Sequence, residues 1–316
     1  MRRTLRIGTR GSQLAFYQAE LVKTRIQQDF PLLTLELVKI KTSGDMIRRG
    51  SMSPLETKRI YTREIEDALL AGEIDAAVHS AKDMAVLLPE GLKIGAVLER
   101  EDARDCLVSK DHKKISELPL GARIGTSSLR RKMQLLRWNP ELIVEEVHGN
   151  VDTRIRKIEA GEYDGVVLAY AGIKRLGLTN YIAEIFPEET FYPAPGQGTI
   201  VVESRAVDPE TDELLQPIQH AVTAKRLECE RAFLRRLEGG CQLPCGIRTT
   251  IENGILKTAG ALFMTEGHEW AEGRHEGPAE HPSEVGEALA HQILNQGGRE
   301  ILEKIRHAER KKKEGN

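Results

Sequence analysis

Short apolar runs bounded by turn residues alternate along this chain with longer stretches of mixed polarity. The runs "AAVHS" (76–80), "GVVLAY" (165–170) and "TIVVES" (199–204) read as strands. The segment "AVTAKRLECERAFLRRLEGG" is apolar at Val222, Leu227, Phe233, Leu234 and Leu237, which predicts a helix ending at Gly239 and Gly240. The order of elements repeats. "RIGT" occurs at Arg6–Thr9 and again at Arg123–Thr126, each time between a predicted strand and a predicted helix. "AGExD" occurs at Ala71–Asp75 and Ala160–Asp164, each time before an apolar run. Gly72 and Gly161 suit the left-handed position that closes a helix. Two matches in the same order predict duplicated α/β lobes with mainly parallel sheets.

On this reading, lobe 1 comprises residues 1–98 plus about 199–216, lobe 2 comprises 104–192, and a small α+β domain with a basic tail occupies 220–316. The charged stretch "LEREDARDC" (98–106) is a hinge-like boundary, and "FYPAPGQGTIVVESR" (191–205) is a crossing segment broken by Pro and Gly. "RHAERKKKEGN" is expected to be a solvated end.

A length of 316 residues exceeds one hydrophobic core and fits this division. The formal net charge is −2, from 46 Lys+Arg against 48 Asp+Glu, and aromatics make up 4%. That balance gives no global attraction to nucleic acid or anionic membrane, and few rings on which bases could stack. No apolar run approaches a membrane span, and the N-terminus lacks a signal-like core, so a cytoplasmic protein is expected. Any anion site must be a local concentration of basic residues.

Three strand ends carry such concentrations. In "RIGTRGSQLAFYQAEL", Arg10, Gly11 and Ser12 lie where free backbone N–H groups meet anions. In "RIGTSSLRRKMQLLRW", Ser127 or Ser128 can cap the helix, placing Arg130 and Arg131 in its first turn. Cations there oppose the helix dipole by roughly 0.3–1 kcal/mol each, and an incoming anion would remove the conflict. The alternative is two arginines facing solvent. In "IDAAVHSAKDMA", the strand delivers Ser80, Lys82 and Asp83 to the same edge, while His79 reads as a packed strand residue. Asn150, Arg154 and Arg175 add to a cleft lined by Arg, Lys and Ser with one carboxylate. That lining suits a substrate with several carboxylates, at about 1.5–3 kcal/mol for each charge-assisted bond. Phosphate-loop, dinucleotide, metalloprotease and hydrolase-elbow motifs are absent.

Four cysteines remain: Cys106, Cys229, Cys241 and Cys245. They are too few for a disulfide framework, and Cys241–Cys245 lacks a second pair at zinc-site spacing, so no metal is expected. Cys106 and Cys229 read as buried small apolar residues.

Together the motifs "RIGTRGSQLA", "KTSGD", "VHSAKD", "REDARD", "IGTSSLRR", "GNVDTR", "GEYDGVVLAYAGIKRLG", "PAPGQG" and "LEGGCQLP" resemble the porphobilinogen deaminase (hydroxymethylbilane synthase) family over nearly the whole chain. The resemblance implies two lobes like type II periplasmic binding proteins and a third domain bearing a dipyrromethane cofactor, bound covalently through Cys241. It implies tetrapolymerisation of porphobilinogen to hydroxymethylbilane with release of ammonia, a transferase reaction of heme biosynthesis. Composition and patterning lead to the expectation of a monomer with no nucleic-acid or membrane partner. Asp83 would be catalytic. Arg10, Arg130, Arg131, Arg154 and Arg175 would hold acetate and propionate groups, with Ser12, Lys58, Ser80, Lys82, Thr126, Ser127, Ser128, Gly149, Asn150 and Gln197 in support. Cys245 stands where the family usually has an aliphatic residue and is assigned no role.

Two departures stand out. His148 replaces the usual arginine before Gly149, and imidazole is shorter and only partly charged near neutrality. The segment "SPLETKRIYTRE" lacks the family's glycines; Lys58 aligns with its lysine and Tyr61 with its phenylalanine in an expected cover over the cleft. These departures leave an inactive or altered homologue as the alternative. A two-lobed carboxylate-binding protein also suits the fold, but such a receptor has no use for Gly-Gly-Cys. A cysteine hydrolase would need a histidine beside Cys241 that the sequence does not place.

Overall fold

The computed structural model describes residues 3–43, 61–237, 243–264 and 269–314. Along the chain these form β1 (Thr4–Arg10), α1 (Gln13–Asp29), β2 (Thr34–Ile40), α2 (Arg63–Leu70), β3 (Ala76–Ser80), β4 (Leu92–Val97) and β5 (Asp105–Ser109). Then follow β6 (Arg123–Gly125), α3 (Leu129–Trp138), β7 (Ile143–Glu145), α4 (Val151–Glu159), β8 (Gly165–Ala169), α5 (Tyr170–Arg175) and β9 (Ile182–Ile185). The last third holds β10 (Ile200–Arg205), α6 (Pro209–Leu215), α7 (Ala221–Arg236), β11 (Cys245–Glu252), β12 (Ile255–Phe263), β13 (Trp270–Pro278), α8 (Pro282–Ile293) and α9 (Arg299–Glu314). Two compact units result: Met1–Glu101 with Gly196–Leu227, and Asp102–Pro195 with Glu228–Asn316.

The first unit is built on the sheet β2-β1-β3-β10-β4 and the second on β7-β6-β8-β5-β9. The two orders are the same once β1 is matched with β6 and β3 with β8. In each sheet three strands pair in parallel and a fourth, β10 or β5, enters antiparallel to both its neighbours. The expectation of mainly parallel sheets missed this inserted strand, because period-two patterning gives a strand's faces and not its direction. The third sheet, β11-β12-β13, is an antiparallel meander inside the second unit.

The repeated sequence motifs make the same contact in both sheets. The Arg6 N–H donates to Asp75 Oδ2 at 2.9 Å, and Arg6 O accepts from the Asp75 N–H at 2.8 Å. The Arg123 N–H donates to Asp164 Oδ2 at 2.7 Å, and Arg123 O accepts from the Asp164 N–H at 2.9 Å. Each "RIGT" strand is thus clasped to the start of the strand after "AGExD". Gly72 (φ 71°) and Gly161 (φ 74°) turn the chain out of the preceding helix, where a Cβ would be strained. In the first unit the clasp is also ionic: Asp75 accepts from Arg6 Nε at 3.1 Å, and that bond raises the Arg6 pKa above its ordinary value.

The first core packs α1 (Ala19, Val22, Ile26) on Leu5, Ile7, Val78 and Val202 of the sheet. In the second unit Leu107, Ile124 and Val167 meet Phe186 and Phe191, whose rings lie 4.7 Å apart and both contact Trp138. Full burial of each such side chain contributes roughly 1.5–3 kcal/mol. The three-stranded sheet is covered by α8 and α9 through Leu289, Ile293, Ile301, Leu302 and Ile305. The first turns of α9 are anchored in the core, and the helix runs on through Glu314 into the stretch expected to be a solvated end, where Arg306, His307 and Lys311 are exposed.

Where α8 crosses the chain at Cys229, a Cβ on Gly286 would stand 2.1 Å from the Cys229 carbonyl oxygen. Backbone cannot move aside as a side-chain tip can. Gly286→Ala is expected to cost about 3 kcal/mol or more, read as a lowered melting temperature of the purified protein.

Candidate active site

In the first unit the predicted residues collect at one edge of the sheet, where parallel β1 and β3 end and β10 begins. Arg10 closes β1, and its guanidinium lies 4.2 Å from the centre of the Tyr61 ring, a cation–π contact. Ser12 caps α1, its Oγ accepting from the Ala15 N–H at 3.2 Å. Ser80 closes β3 and exchanges hydrogen bonds with buried Gln18, accepting from Nε2 at 2.9 Å and donating to Oε1 at 3.2 Å. Gln18 was not singled out from the sequence; glutamine in a helix carries no signal of its own until the facing strand end is known.

Beyond Ser80 a single 3₁₀ turn, Ala81–Asp83, presents Lys82 and Asp83. Lys82 Nζ donates to Oε1 of buried Gln197 at 3.3 Å, and the Gln197 carbonyl accepts from Arg100 Nε at 2.8 Å. Gly196, at φ 75°, lets the "PAPGQG" loop lie against this turn: a Cβ there would come within 3.0 Å of Ala81 and of the Lys82 nitrogen. Ala81 and Lys82, which lead into Asp83, are therefore held, from the strand side and from the loop side. The Asp83 carboxylate is half-buried, and no hydrogen bond or ion pair joins it to another described residue. A carboxylate next in sequence to a lysine, with its oxygens available, is suited to accepting N–H groups and moving protons.

In the second unit the equivalent edge carries the second set. Thr126 is buried, and its Oγ1 accepts from the Ser128 N–H at 3.2 Å. Ser127 donates to the Val147 carbonyl at 2.6 Å, so Ser128 is the cap of α3. Arg130 and Arg131 occupy the first turn as expected, but they do not face solvent: they are 4% and 7% exposed. The anion beside them belongs to the chain. Asp105, the first residue of β5, accepts from Arg130 Nη1 at 2.7 Å and from Arg131 Nε at 2.9 Å. Burial pulls the Arg130 pKa below its ordinary value, against the opposing pull of Asp105. The sequence reading treated 98–106 as a charged boundary; a lone acid at a strand start is not distinguishable from a surface charge until its partners are placed.

After β7, Gly149, Asn150 and Arg154 start α4, with Arg154 Nε donating to the Gly149 carbonyl at 2.8 Å. His148 is 78% exposed, and its Nε2 lies 3.4 Å from Glu146 Oε2. Arg175 ends α5, half-buried. His148→Arg exchanges a short, exposed ring for a longer, permanently charged guanidinium; KM is expected to fall, as measured in steady-state assays.

Cys241 and Lys58 lie outside the described residues, as does the part of the expected cover up to residue 60. The three described cysteines are buried and reduced. Burial pushes the Cys106 thiol up to about 12 and raises Cys229 as well, so neither is a nucleophile at neutral pH. His79 is a packed strand residue, with Nε2 at 3.2 Å from Glu203 Oε2 in the interior. Among the described residues no helix is long and apolar enough to cross a membrane, and no acidic, histidine or cysteine cluster could hold a metal ion.

Residues 5–213 match the family pattern described as porphobilinogen deaminase, dipyromethane cofactor binding domain, and residues 224–295 match the C-terminal domain of the same family. The porphobilinogen deaminase of Pelobacter propionicus is 45% identical over 96% of this chain and 97% of its own length. That of Synechococcus elongatus is 44% identical over 96% of each. Among solved structures, the methionine-binding protein MetQ superposes on 72% of this chain and 90% of its own, at a TM-score of 0.44 and 15% identity. With two family domains in order and near-complete alignment to such relatives, this chain belongs to the porphobilinogen deaminase family.

Proposed function

We propose that this protein is a hydroxymethylbilane synthase, a transferase that joins four porphobilinogen molecules head to tail and releases one ammonia for each. The observation that carries the reading is the Lys82–Asp83 turn, set between Gln197 and the end of β3, in a chain that aligns with porphobilinogen deaminases over nearly its full length. The proposal includes a cytoplasmic monomer active in tetrapyrrole formation.

The residues present fit a covalently held dipyrromethane. The family resemblance assigns the adduct to Cys241, beside Gly239 and Gly240, and the burial of Cys106, Cys229 and Cys245 supports that assignment. Thiolate is the attacking form, and flanking glycines give the adduct room. When bound, dipyrromethane supplies the free pyrrole carbon at which the product chain grows.

The chain's own residues supply the acid–base and electrostatic work. Asp83 accepts hydrogen bonds from pyrrole N–H groups and balances the positive charge left on a porphobilinogen ring as its amine departs. It also assists removal of the ring proton displaced when the new carbon–carbon bond forms. Lys82, held by Gln197, contributes a fixed cation to the carboxylate side chains of the substrate. Arg10, Arg154, Arg175 and the α3 pair Arg130 and Arg131 serve those same acetate and propionate groups, with Ser12, Lys58, Ser80, Thr126, Ser127, Ser128, His148, Gly149 and Asn150 as supporting polar contacts.

A stoichiometry assay tests the reading. Purified protein given porphobilinogen is expected to release ammonia and linear tetrapyrrole in a ratio of four to one. Porphobilinogen bound but not consumed would favour a carboxylate-binding protein or an inactive homologue.

A further inference from the structure

The duplicated halves of the molecule contain a natural comparison at the starts of α1 and α3. Both helices are capped by a serine, Ser12 and Ser128. At the second and third helical positions α1 has Leu14 and Ala15, whereas α3 has Arg130 and Arg131. The inserted antiparallel strand differs at the matching place. In the first sheet, Ile200 of β10 pairs with Ser80 at the end of β3; in the second, Asp105 of β5 pairs with Ala169 at the end of β8. Where the helix start is neutral the facing strand residue is apolar. Where it bears two guanidinium groups the facing residue is a carboxylate, fully buried.

We infer that Asp105 is a positioning residue that fixes the orientation of Arg130 and Arg131 and reduces their joint charge to one net positive unit. The inference rests on the reading of the pair as part of a carboxylate-binding site.

Asp105 is well placed for this. Its backbone is held on both sides, by β8 and by the Phe186 N–H, which donates to its carbonyl at 2.9 Å. Oδ2 takes Arg130 Nη1 at 2.7 Å, while Oδ1 takes Arg131 Nε at 2.9 Å and Nη2 at 2.8 Å. Arg130 Nη1 also donates to the Tyr192 carbonyl at 2.6 Å, and the opposite edge of Arg131 is tied to main chain, Nη1 donating to the Val167 carbonyl at 3.0 Å. Two buried guanidiniums at a helix N-terminus repel each other and the dipole, and without a counter-charge burial would expel them. With Asp105 in place, the positive field left at the α3 start matches one ligand carboxylate. Without it the field would match two, and an anionic chain that must be passed along would be held too tightly.

The test uses the holoenzyme with Asp105→Asn, which keeps shape and removes charge, and Asp105→Asn combined with Arg130→Gln, which restores one net positive charge. Asp105→Asn is expected to lower KM for porphobilinogen roughly three- to tenfold at low ionic strength, with a steeper rise of KM with salt and a reduced kcat. The double variant should return KM and its salt slope towards wild type. A folded Asp105→Asn whose KM is unchanged or raised at every salt concentration overturns the inference, since a merely structural role predicts that result. If Asp105→Asn does not fold, melting decides: recovery of the fold in the double variant supports charge balance, and no recovery overturns it. Wild-type protein that turns over no porphobilinogen refutes the functional reading instead, and the melting comparison still decides the role of Asp105.

Discussion

Asp83→Asn is expected to lower kcat on the order of 10²–10⁴-fold while leaving the fold intact. The substitution is isosteric, and it leaves in place the features that hold the turn. The Met84 N–H still donates to the Ala81 carbonyl, and Lys82 still reaches Gln197. What changes is the one half-buried carboxylate at this sheet edge that no other described side chain engages. An amide presents one acceptor in place of two and carries no charge to set against a substrate cation. It also cannot take up a proton at neutral pH. Because the proposal gives ground-state binding of acetate and propionate groups to the arginines, KM should move far less than kcat. Single-turnover and steady-state measurements on Asp83→Asn, with a thermal melt as control, check this. A fall in kcat below tenfold in a folded variant would remove Asp83 from the chemistry.

Much of this architecture was legible because it is written twice. The "RIGT" and "AGExD" repeats each resolve into the same reciprocal main-chain and carboxylate contact, Arg6 with Asp75 and Arg123 with Asp164. Strand ends were likewise legible from Gly and Pro punctuation, and with them the clustering of Arg10, Ser80 and Asp83. Three features were not legible. The antiparallel insertion of β5 and β10 depends on long-range pairing, which leaves no local signature. The helix at 299–314 was hidden by its charge; among its described side chains, Ile301, Leu302 and Ile305 mark the buried side. The partnership of Asp105 with Arg130 and Arg131 joins residues 25 and 26 positions apart, and charge patterning along one element cannot report it.

Cys241→Ser is expected to abolish turnover, with no measurable linear tetrapyrrole formed. Serine is close to cysteine in size. Its hydroxyl, however, is a far weaker nucleophile than a thiolate and cannot capture an electrophilic pyrrole carbon at neutral pH. The other cysteines offer no substitute: Cys106, Cys229 and Cys245 are buried, and burial holds the Cys106 thiol up at about 12. Cys245→Ser, by contrast, removes a thiol that the account leaves without a part in the reaction.

Intact mass spectrometry of the purified protein addresses the central claim most directly. The account predicts that wild-type protein carries a covalent excess equal to one dipyrromethane, that Cys245→Ser carries the same excess, and that Cys241→Ser carries none. Wild-type protein at its bare sequence mass after expression with porphobilinogen, or an excess that persists in Cys241→Ser, would contradict it.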